Sequence, residues 1–356
     1  MAKLYVFGIG GTGSRVLKSL TFLMASGVKI PEGFDTIVPI VIDPDTANGD
    51  LNRTADILTK YQEIRKATNK GSDFFGTQIK TLKELIEPSA RATQNNFKFS
   101  IGGTTNERFM DFIDYHGLSK SNKSLIDLLY TDKDLDLTMD VGFKGNPNIG
   151  SIVLNQFKKS KEYIDFANSF GPEDSIFIIS SIFGGTGAAG FPLLLKNLRD
   201  NDVNVPNSNL IKEAKIGAIS FLPYYKIGVP PEGVEKTIDS SSFFGKAKSA
   251  LSYYEHSIFD SKQLDAFYYI GESESTNTFD HNDGKEDQEN PAHFLEMAGA
   301  VSIINFMKNV KNVDRIHNPL FSEFGIHSDG SELIFSDLGS KTKEKIAKSL
   351  SKLMLF

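Results

Sequence analysis

Two glycine-rich loops, each standing between an apolar run and a helix-like pattern, constrain this chain of 356 residues more than any other feature. The first is Gly8-Ile9-Gly10-Gly11-Thr12-Gly13, after the β-prone run Lys3 to Phe7. Apolar residues then recur at helical spacing over Ser14 to Met24 (Val16, Leu17, Leu20, Leu23, Met24). A second apolar run, Thr36 to Ile42, follows at a distance that suits a β-α-β unit. The second loop is Phe183-Gly184-Gly185-Thr186-Gly187-Ala188-Ala189-Gly190, after the run Ser175 to Ile182 and opening a helix around Phe191 to Leu198. Unbroken apolar strands alternating with helices belong to a parallel sheet covered on both faces. Ala214 to Leu222 and Ala266 to Ile270 read as further strands, and Phe294 to Val310 as a long apolar helix. The fold expected is α/β, a doubly wound and mostly parallel sheet of about six strands.

Glycine at these positions lets the backbone turn tightly and come close to a phosphate, and a helix N-terminus supplies free N–H groups. The first loop satisfies G-x-G-x-x-G, and Asp43 ends the second strand where a ribose-binding acid would stand, which is a dinucleotide fingerprint. An ordinary dinucleotide-binding domain has one such loop for its pyrophosphate, not two. Two loops at adjacent strand ends can surround a di- or triphosphate from both sides, with Thr12, Ser14 and Thr186 adding hydroxyl donors. A third turn cluster, Phe143-Lys144-Gly145-Asn146-Pro147-Asn148-Ile149-Gly150, precedes a helix read over Ser151 to Gln156.

In this order the loops resemble the tubulin and FtsZ superfamily. Gly8 to Gly13 resembles its N-terminal glycine loop, and Ile42-Asp43-Pro44-Asp45 the loop after its second strand. Gly145-Asn146-Pro147 is similar to its Gly-Ala-Asn-Pro turn, and Gly184-Gly185-Thr186-Gly187 to its signature Gly-Gly-Gly-Thr-Gly. Ile219 to Tyr225, with Pro223, resembles the next strand and its turn. Asp265 to Gly271 and Pro291 to Val310 are similar to the last strand and central helix. The agreement runs in order over roughly residues 1 to 312.

The resemblance implies a protein that binds GTP or GDP with Mg2+ and assembles with itself or with a partner protein. It places Gly10, Gly11, Thr12, Gly13, Ser14 and Gly184 to Gly187 at the phosphates, Asp45 near the magnesium ion, and Gly145, Asn146, Pro147 and Asn148 over the γ-phosphate. Glu232 and Lys236 fall at the ribose, and Asn290 and Phe294 at the base. Arg15 stands where the family has the asparagine that reads guanine. Phe183 replaces the first signature glycine, and Ala188 and Ala189 the Thr/Ser-Gly pair. The family's catalytic loop, Asn-x-Asp-x-x-Asp/Glu, acts on the neighbouring subunit's nucleotide. Asn312-Val313-Asp314-Arg315-Ile316-His317 keeps Asn312 and Asp314 and ends in histidine. Slow or partner-dependent hydrolysis is therefore implied. The 44 residues after Asn312 are too few for the C-terminal domain of tubulin or FtsZ, implying a truncated or reduced form. Two other readings stay open: a NAD- or FAD-binding enzyme using Gly8 to Gly13 and Asp43, and a nucleotide-free scaffold.

Residues 1–312 are read as the nucleotide-binding domain and 313–356 as a short C-terminal segment. An insertion at about 48–140 interrupts the former, with helices expected at Ala55 to Ala67, Gly76 to Ile86 and Glu107 to Tyr115. The net charge of −6 argues against nucleic acid as the partner. Absence of cysteine excludes disulfide scaffolds, thiolate zinc sites and cysteine nucleophiles. No signal peptide and no apolar run long enough to span a membrane is present, so a cytoplasmic location is expected. Asp132, Asp134 and Asp136 begin like a calcium loop, but Leu137 and Phe143 stand where glycine and glutamate are required. His281 among Asp280, Asp283 and Asp287 lacks fixed ligand spacing and reads as an acidic loop.

Overall fold

The computed structural model describes all of the chain except residues 1, 46, 69–72, 87–96, 100, 102–106, 140–142, 144–145, 229–239, 273–277, 280–289, 326–332 and 356. Ten strands lie among the described residues: β1 (Ala2–Ile9), β2 (Phe34–Ile42), β3 (Gln78–Ile79), β4 (Lys98–Phe99), β5 (Ser175–Ser181), β6 (Lys215–Phe221), β7 (Lys226–Ile227), β8 (Ala266–Ile270), β9 (Thr278–Phe279) and β10 (Leu320–Phe324). The helices used below are α1 (Gly10–Ala25), α2 (Gly49–Ala67), α3 (Pro147–Val153), α4 (Lys161–Ser169), α5 (Gly185–Arg199), α6 (Phe243–Tyr254), α7 (Phe294–Asn309) and α8 (Ser340–Met354).

Eight strands form one sheet in the order β10-β8-β6-β5-β1-β2-β3, with β4 also on β2. Every pairing in it is parallel. Parallel order follows from the crossovers: each strand is followed by a helix that returns the chain to the same end. Strand β1 is central and shows why its sequence is apolar throughout. Tyr5 and Phe7 pack edge-on against Phe166 of α4 on one face. Gly8, one residue on, lies against Leu17 and Gly13 of α1 on the other. With both faces covered, alternation is lost and the strand reads as a continuous hydrophobic run.

Strands β3 and β4 come from the 48–140 insertion, where both pair with the outer edge of β2. Its apolar texture is broken, so its elements are short. A helix expected over Gly76 to Ile86 is instead the strand β3 followed by a helix at Leu82–Ile86. Thr81 begins that helix and Glu84 closes back on its N–H (2.9 Å), a local cap the apolar spacing does not reveal. Expected Glu107 to Tyr115 reduces to a turn of helix at Phe109–Phe112, and the helix expected from Ala55 begins earlier, at Gly49. Asp134, weighed as a calcium ligand, caps a turn by accepting from Thr131 N–H and Oγ1–H (3.0 and 2.7 Å). At the other edge, β10, which lies within residues 313–356, pairs with β8, and α8 follows β10.

Candidate functional site

The C-terminal ends of β1, β2, β5 and β6 lie side by side, so the loops leaving them share one end of the sheet. Helices α1 and α5 begin there, in contact through their first turns: a Cβ on Gly10 would stand 3.6 Å from both Gly187 N and Thr186 Cβ. Gly10 has φ of +72°, which L side chains seldom adopt. Gly13 is required for a different reason. A Cβ there would lie 2.5 Å from the Gly8 carbonyl carbon, so helix and strand touch backbone to backbone.

These two N-termini differ from those of α2, α3 and α7 in how they are finished. The cap of α2 is Asn48, whose side chain accepts from Leu51 N–H, and Asp50 lies in the first turn. Asn146 caps α3 by accepting from the Asn148 and Ile149 N–H groups. His293 caps α7, and Glu296 closes its capping box. By contrast α1 starts after Ile9 and α5 after Gly184, neither with a side-chain cap nor an acidic residue in the first turn. The first N–H groups of a helix have no intrahelical partner and carry its positive partial charge. Two such ends in contact form a place suited to an anion with several oxygens.

Arg15, in the second turn of α1, points inward and is 1% exposed. Its Nε donates to Glu296 Oε1 (2.6 Å) and its Nη1 to Asp50 Oδ2 (2.8 Å). Nη2 donates to Tyr224 Oη (2.9 Å) and, more weakly, toward Thr12 Oγ1 (3.4 Å). Tyr224 donates in turn to Glu296 Oε1 (3.1 Å), and Arg53 Nη2 donates to Asp50 Oδ1 (3.0 Å). Two guanidinium groups and two carboxylates thus meet in a cluster whose core is closed to water. Burial opposes the charge on Arg15, but the facing Tyr224, Glu296 and Asp50 outweigh it and hold its pKa above the usual arginine range. The buried Pro223 leads β6 into the turn that delivers Tyr224. Sequence reasoning missed this network: only the acid in the first turn of α2 and of α7 hinted that a cation would be needed nearby.

Asp43 and Asp45 close β2 and are 5% and 2% exposed. Asp43 Oδ1 accepts from Asp45 N–H (3.1 Å), and Asp45 Oδ1 accepts from Ala47 N–H (3.1 Å). Burial, with the neighbouring Asp45 and Asp50 charges, pushes the Asp43 carboxyl up to about 8 against the lowering effect of the Asp45 N–H. Among the described residues no group of three or more His, Asp or Glu side chains is placed to hold a metal ion. A magnesium ion held chiefly by phosphate oxygens and water needs only one or two carboxylates, and Asp45 lies just past the C-terminal end of β2.

The third loop joins the other two through α3: a Cβ on Gly150 would meet Ala189 Cβ at 2.8 Å and Gly185 O at 3.2 Å. Asn146 also donates from Nδ2 to Asp134 Oδ1 (2.9 Å), and Asn148 is exposed. Gly11, Gly184 and Thr186 are half-buried and Gly185 is buried. Ser14 is buried and donates to Gly10 O (3.2 Å). Phe294, two residues before Glu296 and so on nearly the opposite face of α7, packs toward Phe324 of β10 (ring centroids 6.3 Å apart). Asn290 is half-buried. Gly145, Glu232, Lys236 and the His281 loop lie outside the described residues.

Asn312 and Asp314 lie at the other end of the sheet. Asp314 Oδ1 accepts from Ile316 and His317 N–H (2.9 and 3.1 Å), and Oδ2 from Lys215 Nζ (3.2 Å) at the start of β6. Those two amides, with Lys215, bring its pKa down to about 2. Asn318 Nδ2 donates to Asn312 O (2.6 Å), completing the turn. Beneath it the buried Asp265 accepts from Arg199 Nη2 (3.1 Å), Lys215 Nζ (3.2 Å) and the Arg315 N–H (3.0 Å). A strand the length of β6 separates this turn from the glycine loops, roughly 20 Å.

No protein-family model and no curated protein matches the sequence. Among solved structures the chain is similar to the GTPγS-bound protofilament of CetZ2 from Haloferax volcanii (12% identity, 87% of this chain and 59% of that one, TM-score 0.39). It is similar also to the empty FtsZ dimer of M. jannaschii (16%, 87% and 54%, TM-score 0.36). A third is CetZ from Methanosaeta thermophila strain DSM 6194 (13%, 88% and 53%, TM-score 0.30). The chain spans little more than half the length of each of these structures.

Proposed function

We propose that this chain binds a nucleoside di- or triphosphate, with Mg2+, across the N-termini of α1 and α5, and that it does so as a GTP-binding protein of the tubulin and FtsZ type. The observation that carries the reading is the pair of touching helix N-termini left without cap or acid, while α2, α3 and α7 at the same end are finished by their own side chains. Backbone N–H groups of Gly10 to Gly13 and of Gly184 to Gly187 take the phosphate oxygens, and Thr186 offers a hydroxyl at the half-exposed rim. Asn146 to Asn148 border the terminal phosphate. When bound, magnesium neutralises phosphate charge, and Asp45 is the carboxylate we assign beside it. The guanine base is taken from the family resemblance.

A dinucleotide cofactor fits less well, because it leaves the second glycine loop without a role. A scaffold that keeps the fold without a ligand is favoured by one observation, the sealing of Arg15 into a complete internal network. Mass spectrometry of small molecules released from the purified chain separates these readings. Guanine nucleotide is expected; NAD or FAD supports the enzyme reading, and nothing released or rebound supports the scaffold.

Assembly with itself or a partner, and hydrolysis through Asn312 and Asp314, complete the proposal. Because that turn and the glycine loops stand at opposite ends of one sheet, Asp314 can serve only the nucleotide of a neighbouring subunit. There its charged carboxylate would orient the attacking water, with no third acid to help, since His317 holds that position.

A further inference from the structure

Charge is unevenly spread on this acidic chain. Helix α8 carries Lys341, Lys343, Lys345, Lys348 and Lys352 against the single Glu344, within a protein of net charge −6. Between α7 and α8 runs a groove of about 350 Å³, lined also by Gly27 to Lys29 after α1. Its floor is apolar, formed by Val301 with the buried Ile304 and Ile346. Four exposed lysines line it: Lys345 and Lys348 on α8, Lys308 on α7, and Lys29 in the segment after α1. Among the described residues none of the four has a carboxylate within ion-pair distance, whereas Lys352, further along α8, pairs with Asp73 (3.4 Å).

Four like charges around one apolar trough repel each other, and folding alone does not need them there. They gain when carboxylates arrive. Lys345 and Lys348 are one helical turn apart on the same bank, opposite Lys308, so the charges extend along the groove. A single-headed anion would satisfy one or two of them. A helix with aliphatic side chains on one face and glutamates or aspartates flanking it would fill the floor and meet both banks at once. We propose that the α7–α8 groove is a docking site for an acidic amphipathic helix of a partner protein. The site is separate from the strand-end loops and does not depend on nucleotide.

The test uses the full chain and a fluorescein-labelled synthetic peptide of 16 residues, with leucines at i, i+3, i+4 and i+7 spacing and glutamates beside them. Fluorescence anisotropy should show saturable binding that weakens as salt is raised. A peptide with lysines in place of the glutamates, and one with serines in place of the leucines, should not bind. Lys345→Glu combined with Lys348→Glu should weaken binding at least tenfold without lowering the melting temperature, because among the described residues neither lysine has an ion-pair partner and the change relieves like-charge repulsion. Equal binding by that variant, or no binding of the acidic peptide, overturns the proposal. So does sedimentation of the chain with phosphatidylserine vesicles that the peptide fails to displace, which would make this a membrane-facing surface.

Discussion

Arg15 holds together three helices and a strand turn through four side chains, and its value lies in what its loss would strand. Arg15→Met leaves Asp50 and Glu296 buried, Asp50 with only Arg53 and Glu296 with the Tyr224 hydroxyl and the His293 N–H. Removing one partner of a buried ion pair costs about 3–5 kcal/mol, and a loss of that size is expected in urea unfolding. Arg15→Lys should recover little of it, because one ammonium cannot reach the positions a planar guanidinium spans. Asp43 gives a second expectation. A carboxyl whose folded pKa, about 8, exceeds its unfolded value binds more protons in the folded state. Its contribution to stability is therefore fully present below about pH 4 and is lost as pH rises to 8. Asp43→Asn keeps the acceptor for Asp45 N–H but cannot ionise. It should flatten the pH dependence between 4 and 8 and raise stability at pH 8. An unchanged slope would mean that Asp43 finds a compensating cation.

At the level of elements, the glycines of the first loop do two different things, and variants should separate them. Gly13→Ala puts a methyl group into the Gly8 backbone at 2.5 Å, where neither neighbour is a flexible side chain. It should cost about 2–4 kcal/mol in urea unfolding. Gly10→Ala meets only ordinary contacts but must hold φ near +72°, a cost of about 1–2 kcal/mol. Much of this was legible in the sequence. Unbroken apolar runs marked β1, β2, β5, β6 and β8, and glycines at two strand ends marked the start of α1 and α5. The insertion was not legible as part of the sheet, because β3 and β4 are two residues each and carry no period. Strand β10, Leu-Phe-Ser-Glu-Phe, escaped notice because an edge strand is half exposed and loses its apolar continuity. For Arg15 a single sequence position said nothing of Glu296, 281 residues away. The missing caps of α1 and α5 likewise became informative only once the two termini were seen to touch.

For the whole molecule, the proposed function together with the separation of the glycine loops from Asp314 implies that any hydrolysis would be a property of assemblies. The chain alone should turn over GTP slowly or not at all, and any specific activity should rise with protein concentration and vanish in Asp314→Ala. Turnover that is brisk and independent of concentration would place the chemistry within one subunit and remove Asp314 from it. Asp314 also sets an acid limit. Its folded pKa of about 2 lies below the unfolded value, so the stability it gives is present above pH 4 and lost as pH falls toward 2. Asp314→Asn should lack that loss. At the opposite end of the sheet, where two uncapped helices meet, nucleotide binding is expected. It is tested most directly by calorimetric titration of the nucleotide-stripped chain with GTP and Mg2+, beside Gly185→Asp and, because Gly185 is itself buried, the half-exposed Thr186→Asp. Saturable binding of one GTP per chain is expected, abolished in both variants while the melting temperature of Thr186→Asp does not fall below that of the parent. No binding heat with the parent chain, or undiminished affinity in a folded Thr186→Asp, would contradict it.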